Sequence, residues 1–318
     1  MLNSKRILVT GGTGTLGSAI CEHLLSLGAC VTVFSRSENE QHKMRQRISD
    51  EHLHFTIGDV RDYQSVRSAV RHADIVCHCA ALKQVPACEY FPAEAIRTNV
   101  GGAQNIVQAI SEEHLPVECV VGISTDKAAY PACVYGNTKA LQEATLIQAN
   151  LEAPDTRFVS VRLGNLIGSR GSVALIFREQ VASGGPVTIT DPAMTRFWFG
   201  PAEAVGVVMT AINEAKRGEI IVPKIGATTV EALARAFIGS RPISKRIIGI
   251  RPGEKKHETL ISEEEAMRCV QNDGHYVLYP AMGEFGRCVS RIGGAYTSDQ
   301  SLMSDEELMG LLERYGLV

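Results

Sequence analysis

"TGGTGTLG", Thr10–Gly17, is the stretch on which the reading of this chain turns. It directly follows a β-rich run, Arg6–Thr10, and opens a helical pattern over Leu16–Leu27. Glycines at 11, 14 and 17 let backbone approach a pyrophosphate, while the helix N-terminus offers N–H groups and a favourable dipole. The string also fits G-x-G-x-x-G from Gly12, so spacing alone is ambiguous. The strand before it and the helix after it carry the reading.

Outward from that loop, short apolar runs alternate with helical patterns. Strands are predicted over Arg6–Thr10, Cys30–Ser35, His54–Ile57, Asp74–Cys79, Val117–Ile123 and Arg157–Leu163, with helices such as Leu16–Leu27, Ala93–Ser111 and Tyr135–Leu151 between them. Parallel neighbours need crossover connections, so this alternation predicts an α/β fold: a Rossmann-type doubly wound parallel sheet over residues 1–166. From residue 167 to 318 the Gly/Pro-punctuated stretches "GSRGS", "SGGP" and "RPGEKK" predict a smaller C-terminal substrate-binding lobe over the sheet's carboxyl edge. Some later helices, Ala202–Ala215 among them, are expected to return to the first lobe.

Composition narrows the function classes. The 318 residues are 45% hydrophobic and 21% charged with net charge -3, which argues against a nucleic-acid groove or an anionic membrane surface as the main partner. No apolar run reaches the ~20 residues of a membrane span, and Met1 leads into "SKRILVT" with no apolar h-region. Nine scattered cysteines without C-x-x-C pairs fit reduced thiols, so a cytoplasmic protein is expected. In "CHC", Cys77–Cys79, the thiols share one strand face and His78 takes the other, so buried core thiols are expected and no metal site.

The second strand ends in "VFSRSENE". A cofactor with a free 2′-hydroxyl usually meets an acid there, but Ser35 and Arg36 hold the place, and they suit a phosphate monoester. NADP is therefore expected rather than NAD. The other reading of Arg36 is a solvated loop residue.

"STDKAAYPACVYGNTK", Ser124–Lys139, supplies the chemistry. Tyr135 and Lys139 lie on one helix face, and an ammonium beside the phenol favours phenolate, a base for a hydroxyl proton as hydride leaves the same carbon. Upstream sits a second acid and amine, Asp126-Lys127, for which plain alcohol oxidation has no use. The bland reading of that couple is an ion pair or a cap on the following turn.

With these motifs in place the chain resembles the extended short-chain dehydrogenases/reductases, and within them the configuration-inverting UDP-N-acetylglucosamine 4,6-dehydratases. The resemblance runs through "TGGTGTLG", "FSRSE", "GDVRD", "AALKQVPACEYFPAEAIRTNVGG", "STDKAAYP", "YGNTK", "GNLIGSRGSV", "MTRFW", "VPKI" and "RPGEKKHETLIS". It implies that Tyr135, with Lys139 and Thr125, serves oxidation at C4. Lys127 would remove the C5 proton that the ketone acidifies, and Asp126 would protonate the departing C6 hydroxyl. Lys127 must then be neutral, its pKa lowered by burial and by the charge of Lys139 and the oxidised nicotinamide. Asp126 must hold a proton.

The resemblance further implies a cofactor site of Gly11, Thr13, Gly14, Thr15, Leu16, Gly17, Ser35, Arg36, Asp59, Val60, Ala80, Ala81, Lys83, Tyr135 and Lys139. It implies a UDP-sugar site of Lys83, Asn165, Arg170, Arg196, Arg251 and Glu254, the arginines being expected on loops of the second lobe. Glu254 and His257 suit the uracil or ribose and suit bracing of their loop equally. Family members commonly form homo-oligomers. Tyr130 departs from the asparagine that close relatives often show before the matching proline. Bifunctional dehydratase–epimerase relatives share an aromatic there but tend to have methionine at the place of Tyr135. Two rivals remain: a nucleotide-sugar 4- or 5-epimerase, and a non-catalytic NADP-binding regulatory or scaffold protein.

Overall fold

The computed structural model describes residues 2–283 and 292–318. In chain order the first half runs β1 (Arg6–Thr10), α1 (Thr15–Ser26), β2 (Cys30–Ser35), α2 (Glu38–Arg47), β3 (Leu53–Ile57), α3 (Tyr63–Val70) and β4 (Ile75–His78). Two short helices follow, α4 (Val85–Tyr90) and α5 (Pro92–Ala95), then a π-helical turn over Ile96–Gly101, α6 (Gly102–Glu113), β5 (Cys119–Thr125), α7 (Val134–Glu152) and β6 (Arg157–Leu163). The chain then forms β7 (Asn165–Leu166), α8 (Val173–Ala182), β8 (Val187–Ile189), β9 (Thr195–Phe199), α9 (Pro201–Asn213), β10 (Ile220–Pro223), β11 (Ala227–Thr229), α10 (Val230–Ile238) and β12 (Lys245–Ile247). It closes with β13 (Thr259–Ile261), α11 (Glu263–Ala266), β14 (Cys269–Gln271), β15 (His275–Leu278), β16 (Tyr296–Thr297) and α12 (Asp305–Arg314).

Nine strands form the main sheet in the order β14-β15-β10-β6-β5-β4-β1-β2-β3. The seven from β3 to β10 are mutually parallel, and β15 and β14 pair antiparallel at the far edge. Period-2 side-chain alternation explains how this sheet is buried on both faces. Ile7 and Val9 of β1 join a core with Ile20, Cys21 and Leu24 of α1 and Val205, Val208 and Ile212 of α9. Leu8 faces the opposite core, with Val66 and Val70 of α3, Ile106 and Ile110 of α6, and Leu146 and Ala149 of α7. Helix α9 thus lies against the first-half sheet although it comes late in the chain. Cys77 is fully buried within the same layer as α1.

A third core joins α8, β8, β9, α10 and α12 through Phe177, Val187, Trp198, Leu233, Phe237, Leu308 and Leu312. Helix α12 is capped as its "SDEE" start predicts: Ser304 Oγ accepts from the Glu307 N–H at 3.1 Å, and Glu307 Oε2 accepts from the Ser304 N–H at 2.7 Å.

The sheet, helix α7 and the later chain meet at one buried guanidinium. Arg162 of β6 is 3% exposed; it donates Nε and Nη2 to the Glu143 carboxylate of α7 at 2.9 and 2.7 Å. The same side chain donates to both oxygens of Glu265 in α11 at 2.7 Å and to the Leu260 carbonyl at 3.0 Å. Removing one partner of a buried charge pair leaves the others stranded in low dielectric. Arg162→Met is therefore expected to lose about 3–5 kcal/mol of stability, read as a lowered urea midpoint.

Candidate active site

Strand order reverses between β1 and β4, and ligands in such sheets bind outside the carboxyl ends at that switch point. The glycine-rich loop lies there. Gly11 adopts φ +65°, and a Cβ on it would stand 2.8 Å from the Ala80 backbone. A Cβ on Gly17 would stand 2.5 Å from the Gly11 carbonyl oxygen. Only glycine lets loop and helix approach so closely. No side chain caps the N-terminus of α1, so its first N–H groups point at the space an anion would fill. A cleft of about 730 Å³ runs from this loop to the second lobe. Its walls carry Thr13, Gly14, Thr15, Leu16, Ser35, Arg36, Val60, Ala80 and Ala81 at one end and Arg196, Arg251 and Glu254 at the other. Lys83, Thr125, Lys127, Tyr135, Lys139, Asn165 and Arg170 lie on the same walls.

Helix α7 starts beside Lys127 because residue 136 is glycine: a Cβ there would lie 2.4 Å from the Lys127 carbonyl oxygen. That approach sets Tyr135 next to the β5 end. Cys133 caps the helix, its Sγ accepting from the Gly136 N–H at 3.4 Å. Lys139, one turn on, is buried and donates to the Ile123 carbonyl at 2.7 Å and to Gln142 Oε1 at 2.8 Å; burial pushes its ammonium down to about 8. Burial also pushes the Tyr135 phenol up to about 12. The cation that opposes this is Lys127, aided by a Thr125 hydrogen bond, so the electrostatic partner expected at Lys139 is supplied chiefly from the other side.

Asp126 and Lys127 are bonded to each other. Lys127 Nζ donates to Asp126 Oδ1 at 3.0 Å, stands 3.2 Å from Glu258 Oε1, and reaches Asn165 Oδ1 at 3.5 Å. Thr125 Oγ1 donates to the same Asp126 oxygen at 2.9 Å, while Oδ2 is buried without a partner. Desolvation raises the Asp126 carboxyl, in the direction an acid needs. Lys127 moves opposite to the expectation. Burial would lower it, but Asp126 and Glu258 outweigh burial and hold it protonated; Arg196, not Lys139, is the cation acting against them.

Of the other residues in the sequence reading, Arg196 and Asp59 sit differently from expectation, and the rest are placed by their contacts. Arg196 lies on β9, not on a loop; its guanidinium is buried, donating to the carbonyls of Thr195 at 2.7 Å and Lys255 at 2.9 Å. Arg170 leans over the glycine-rich loop, donating to the Thr13 carbonyl at 3.4 Å and pairing with Glu40 of α2 at 2.6 Å. Arg251 is exposed at the cleft mouth, and its N–H donates to Glu254 Oε2 at 3.3 Å. His257 braces its loop, Nδ1 lying 2.8 Å from Thr195 Oγ1. Asp59 turns to Arg61, 2.6 Å away, and lies off the cleft wall. Lys83 Nζ donates to Ser169 Oγ at 3.4 Å, and burial lowers its ammonium.

Two residues carry no role in the sequence reading. Glu258, 1% exposed, is held by Lys127, by Lys255 at 3.1 Å and by Arg196 at 3.7 Å. A carboxylate two residues before the apolar Leu260-Ile261 pair of β13 was the available signal. Asn99, in the π-helical turn, accepts from the Leu82 N–H at 2.8 Å and donates to the Leu82 carbonyl and Thr138 Oγ1 at 2.9 Å. Clamping both backbone groups of Leu82 sets the loop that carries Lys83. Such turns often mark functional sites.

Fold and site together define an extended short-chain dehydrogenase/reductase. More narrowly, residues 7–280 match the family described as polysaccharide biosynthesis protein, and the chain belongs to that family. The UDP-glucose 4-epimerase of Rickettsia prowazekii (strain Madrid E) is 41% identical over 286 residues, 87% of this chain and 83% of that one. The inverting UDP-N-acetylglucosamine 4,6-dehydratase of Campylobacter jejuni (strain 81-176) is 37% identical over 333 residues, 98% of each chain. Among solved structures, the X-ray structure of Pen from Bacillus thuringiensis aligns with TM-score 0.93 at 33% identity, covering 100% of this chain and 99% of that one. Among the described residues no helix is long and apolar enough to cross a membrane, and no three His, Cys, Asp or Glu side chains are grouped to hold a metal ion.

Beneath the loop, His78 Nδ1 lies 2.8 Å from Thr10 Oγ1, which also accepts from the Ala80 N–H at 3.3 Å. Burial, reinforced by Lys139, pushes the imidazole down to about 3. The unfolded chain takes this proton near pH 6.5, whereas the fold refuses it until about 3, so stability falls as pH drops through that window. Between pH 7 and 5 the protein should lose about 2 kcal/mol more than His78→Gln, measured by urea titration at both pH values.

Proposed function

We propose that the chain is an NADP-dependent 4,6-dehydratase of a UDP-sugar, UDP-N-acetylglucosamine foremost, inverting C5 to give a 4-keto-6-deoxy product. The observation that carries this reading is the second acid–amine couple, Asp126–Lys127, joined through Thr125 to Tyr135: Thr125, Lys127 and Tyr135 line the cleft, and the fully buried Asp126 is bonded to Lys127 behind that wall. Oxidation at C4 uses one proton acceptor, whereas elimination of water across C5 and C6 needs an acid and a base of its own.

The residues present fit a nicotinamide dinucleotide. The glycine cradle, where a Cβ at 11 or 17 would collide with backbone, and the uncapped start of α1 suit a pyrophosphate. Arg36, exposed on the cleft wall beside Ser35, suits a 2′-phosphate. Bound there, the nicotinamide supplies hydride acceptance at C4 and hydride return at C6.

Tyr135 takes the C4 hydroxyl proton. Lys127 takes the C5 proton, made acidic by the adjacent carbonyl, and Asp126 gives its proton to the C6 oxygen, which leaves as water. A solvent-derived proton then returns to C5 from the opposite face. The resting ion pair and this working state hold the same number of protons: one proton moving along the 3.0 Å Lys127–Asp126 hydrogen bond turns ammonium and carboxylate into amine and carboxylic acid. Desolvation of Asp126 favours that shift.

A 4-epimerase is the second reading, favoured by the name of the 41% identical Rickettsia relative. Mass spectrometry after incubation with UDP-N-acetylglucosamine in deuterated water separates the two. The dehydratase product has lost one water and gained solvent deuterium at C5, whereas a 4-epimer keeps the mass of its substrate. Lys127→Met should slow water loss about 10²–10⁴-fold with NADP still bound, and a near-normal rate would remove Lys127 from the base role. Arg36→Ala should weaken NADP about 10–100-fold with NAD unchanged, read by calorimetric titration.

A further inference from the structure

The Lys127 ammonium has three N–H donors, and the fold gives it three acceptors. Asp126 Oδ1 at 3.0 Å and Glu258 Oε1 at 3.2 Å are buried carboxylate oxygens, whereas Asn165 Oδ1, on the cleft wall, is the longest contact at 3.5 Å. Two positions are therefore fixed by charge, and the third, weakest position belongs to the cleft. Asp126 precedes Lys127 in the chain, but Glu258 comes from the segment before β13. From there it brings a second negative charge to an amine that Asp126 already pairs.

We infer that Glu258 is the positioning residue of the Lys127 amine, aiming the N–H that Asn165 holds only weakly into the cleft and holding the ammonium charge until a ligand arrives. This rests on the dehydratase reading for its catalytic meaning, but the charge relation itself is independent of turnover.

Energetics make a purely structural part for Glu258 a poor account of its site. A 1%-exposed carboxylate bears a large desolvation cost, and here it faces Lys127, Lys255 and Arg196, more cations than one charge requires. Arg196 is already satisfied by backbone carbonyls, and the Lys255 Nζ donates to the Tyr130 carbonyl at 2.9 Å. The contacts of the Lys127 Nζ to Asp126, Glu258 and Asn165 are all to side-chain oxygens. The groups facing it are Asp126 beside it, Tyr135 of α7 and Cys133 at its cap, Arg196 of β9, and Glu258. Of these, the two carboxylates raise Lys127 and Arg196 lowers it. With Glu258 uncharged, one carboxylate would face the amine against the opposing guanidinium, and the proton would leave more readily.

The experiment is a ¹³C-lysine NMR titration of the full chain, the Lys127 Cε signal assigned through Lys127→Met. Glu258→Gln keeps length and an acceptor oxygen but removes the charge. It should move the Lys127 titration down by about 1–3 pH units. An unmoved titration overturns the inference, whatever reaction the chain performs. Glu258→Asp, which keeps the charge but draws it back by one methylene, guards against a variant that fails to fold. It should leave the titration near its original place while lowering kcat about 10²-fold with KM little changed. A rise in KM with kcat intact would make Glu258 a substrate contact and overturn the positioning role. Failure of the unaltered protein to release water from UDP-N-acetylglucosamine would sink the dehydratase reading alone, because the NMR shift is read without substrate.

Discussion

Arg162 is the fixed point on which the site depends. Its guanidinium is shared between Glu143 of the active-site helix and Glu265 of α11, with Arg162 and Glu143 buried and Glu265 mostly so. An arrangement of this kind tolerates little play, since moving any member exposes an uncompensated charge to low dielectric. Glu143 lies one turn beyond Lys139 and two beyond Tyr135, so anchoring it fixes the rotation of α7 about its own axis. Glu265 lies in the short helix just past β13, so the same anchor fixes the segment that carries Glu258. The spacing between Tyr135 on one side and Glu258 on the other is thus set by a third party outside the cleft.

Much of the first half was legible because parallel sheets write their strands as continuous apolar runs. Arg6–Thr10, Cys30–Ser35 and Arg157–Leu163 coincide with the observed strands, and Tyr135–Leu151 lies within α7. Helix Ala93–Ser111 reads as one element in sequence but is broken into α5, a π-helical turn and α6. Side-chain periodicity does not report the one-residue insertion of a π turn, and Asn99 was missed with it. Glu258 escaped for a different reason. Two of its three ion-pair partners, Lys127 and Arg196, lie in other segments of the chain, so the one local signal, its place two residues before Leu260-Ile261, does not by itself announce that a carboxylate beside "KKH" will be buried and not solvated. Arg196 was misplaced for the converse reason: an arginine between Thr195 and Phe197 looks like a loop charge until its carbonyl acceptors are known.

The cleft couples proton affinities of opposite tendency. Burial alone would strip Lys127 of its proton and give one to Asp126, the distribution that the proposed elimination calls for. Ion pairing works against burial at the lysine. The resting state therefore stores a charged pair whose neutral form differs only in the position of one hydrogen. Tyr135 shares in this balance, because the ammonium that opposes its desolvation is the Lys127 of the same pair.

Arg170 adds a matter of timing. The loop between Gly168 and Gly171, both at positive φ, carries this side chain across the dinucleotide end of the cleft to Glu40 and the Thr13 carbonyl. A hydride carrier that ends each cycle in the form in which it began has no need to trade places with fresh molecules. Under the proposed cycle, a clasp over that seat would hinder exchange of the carrier and leave turnover untouched.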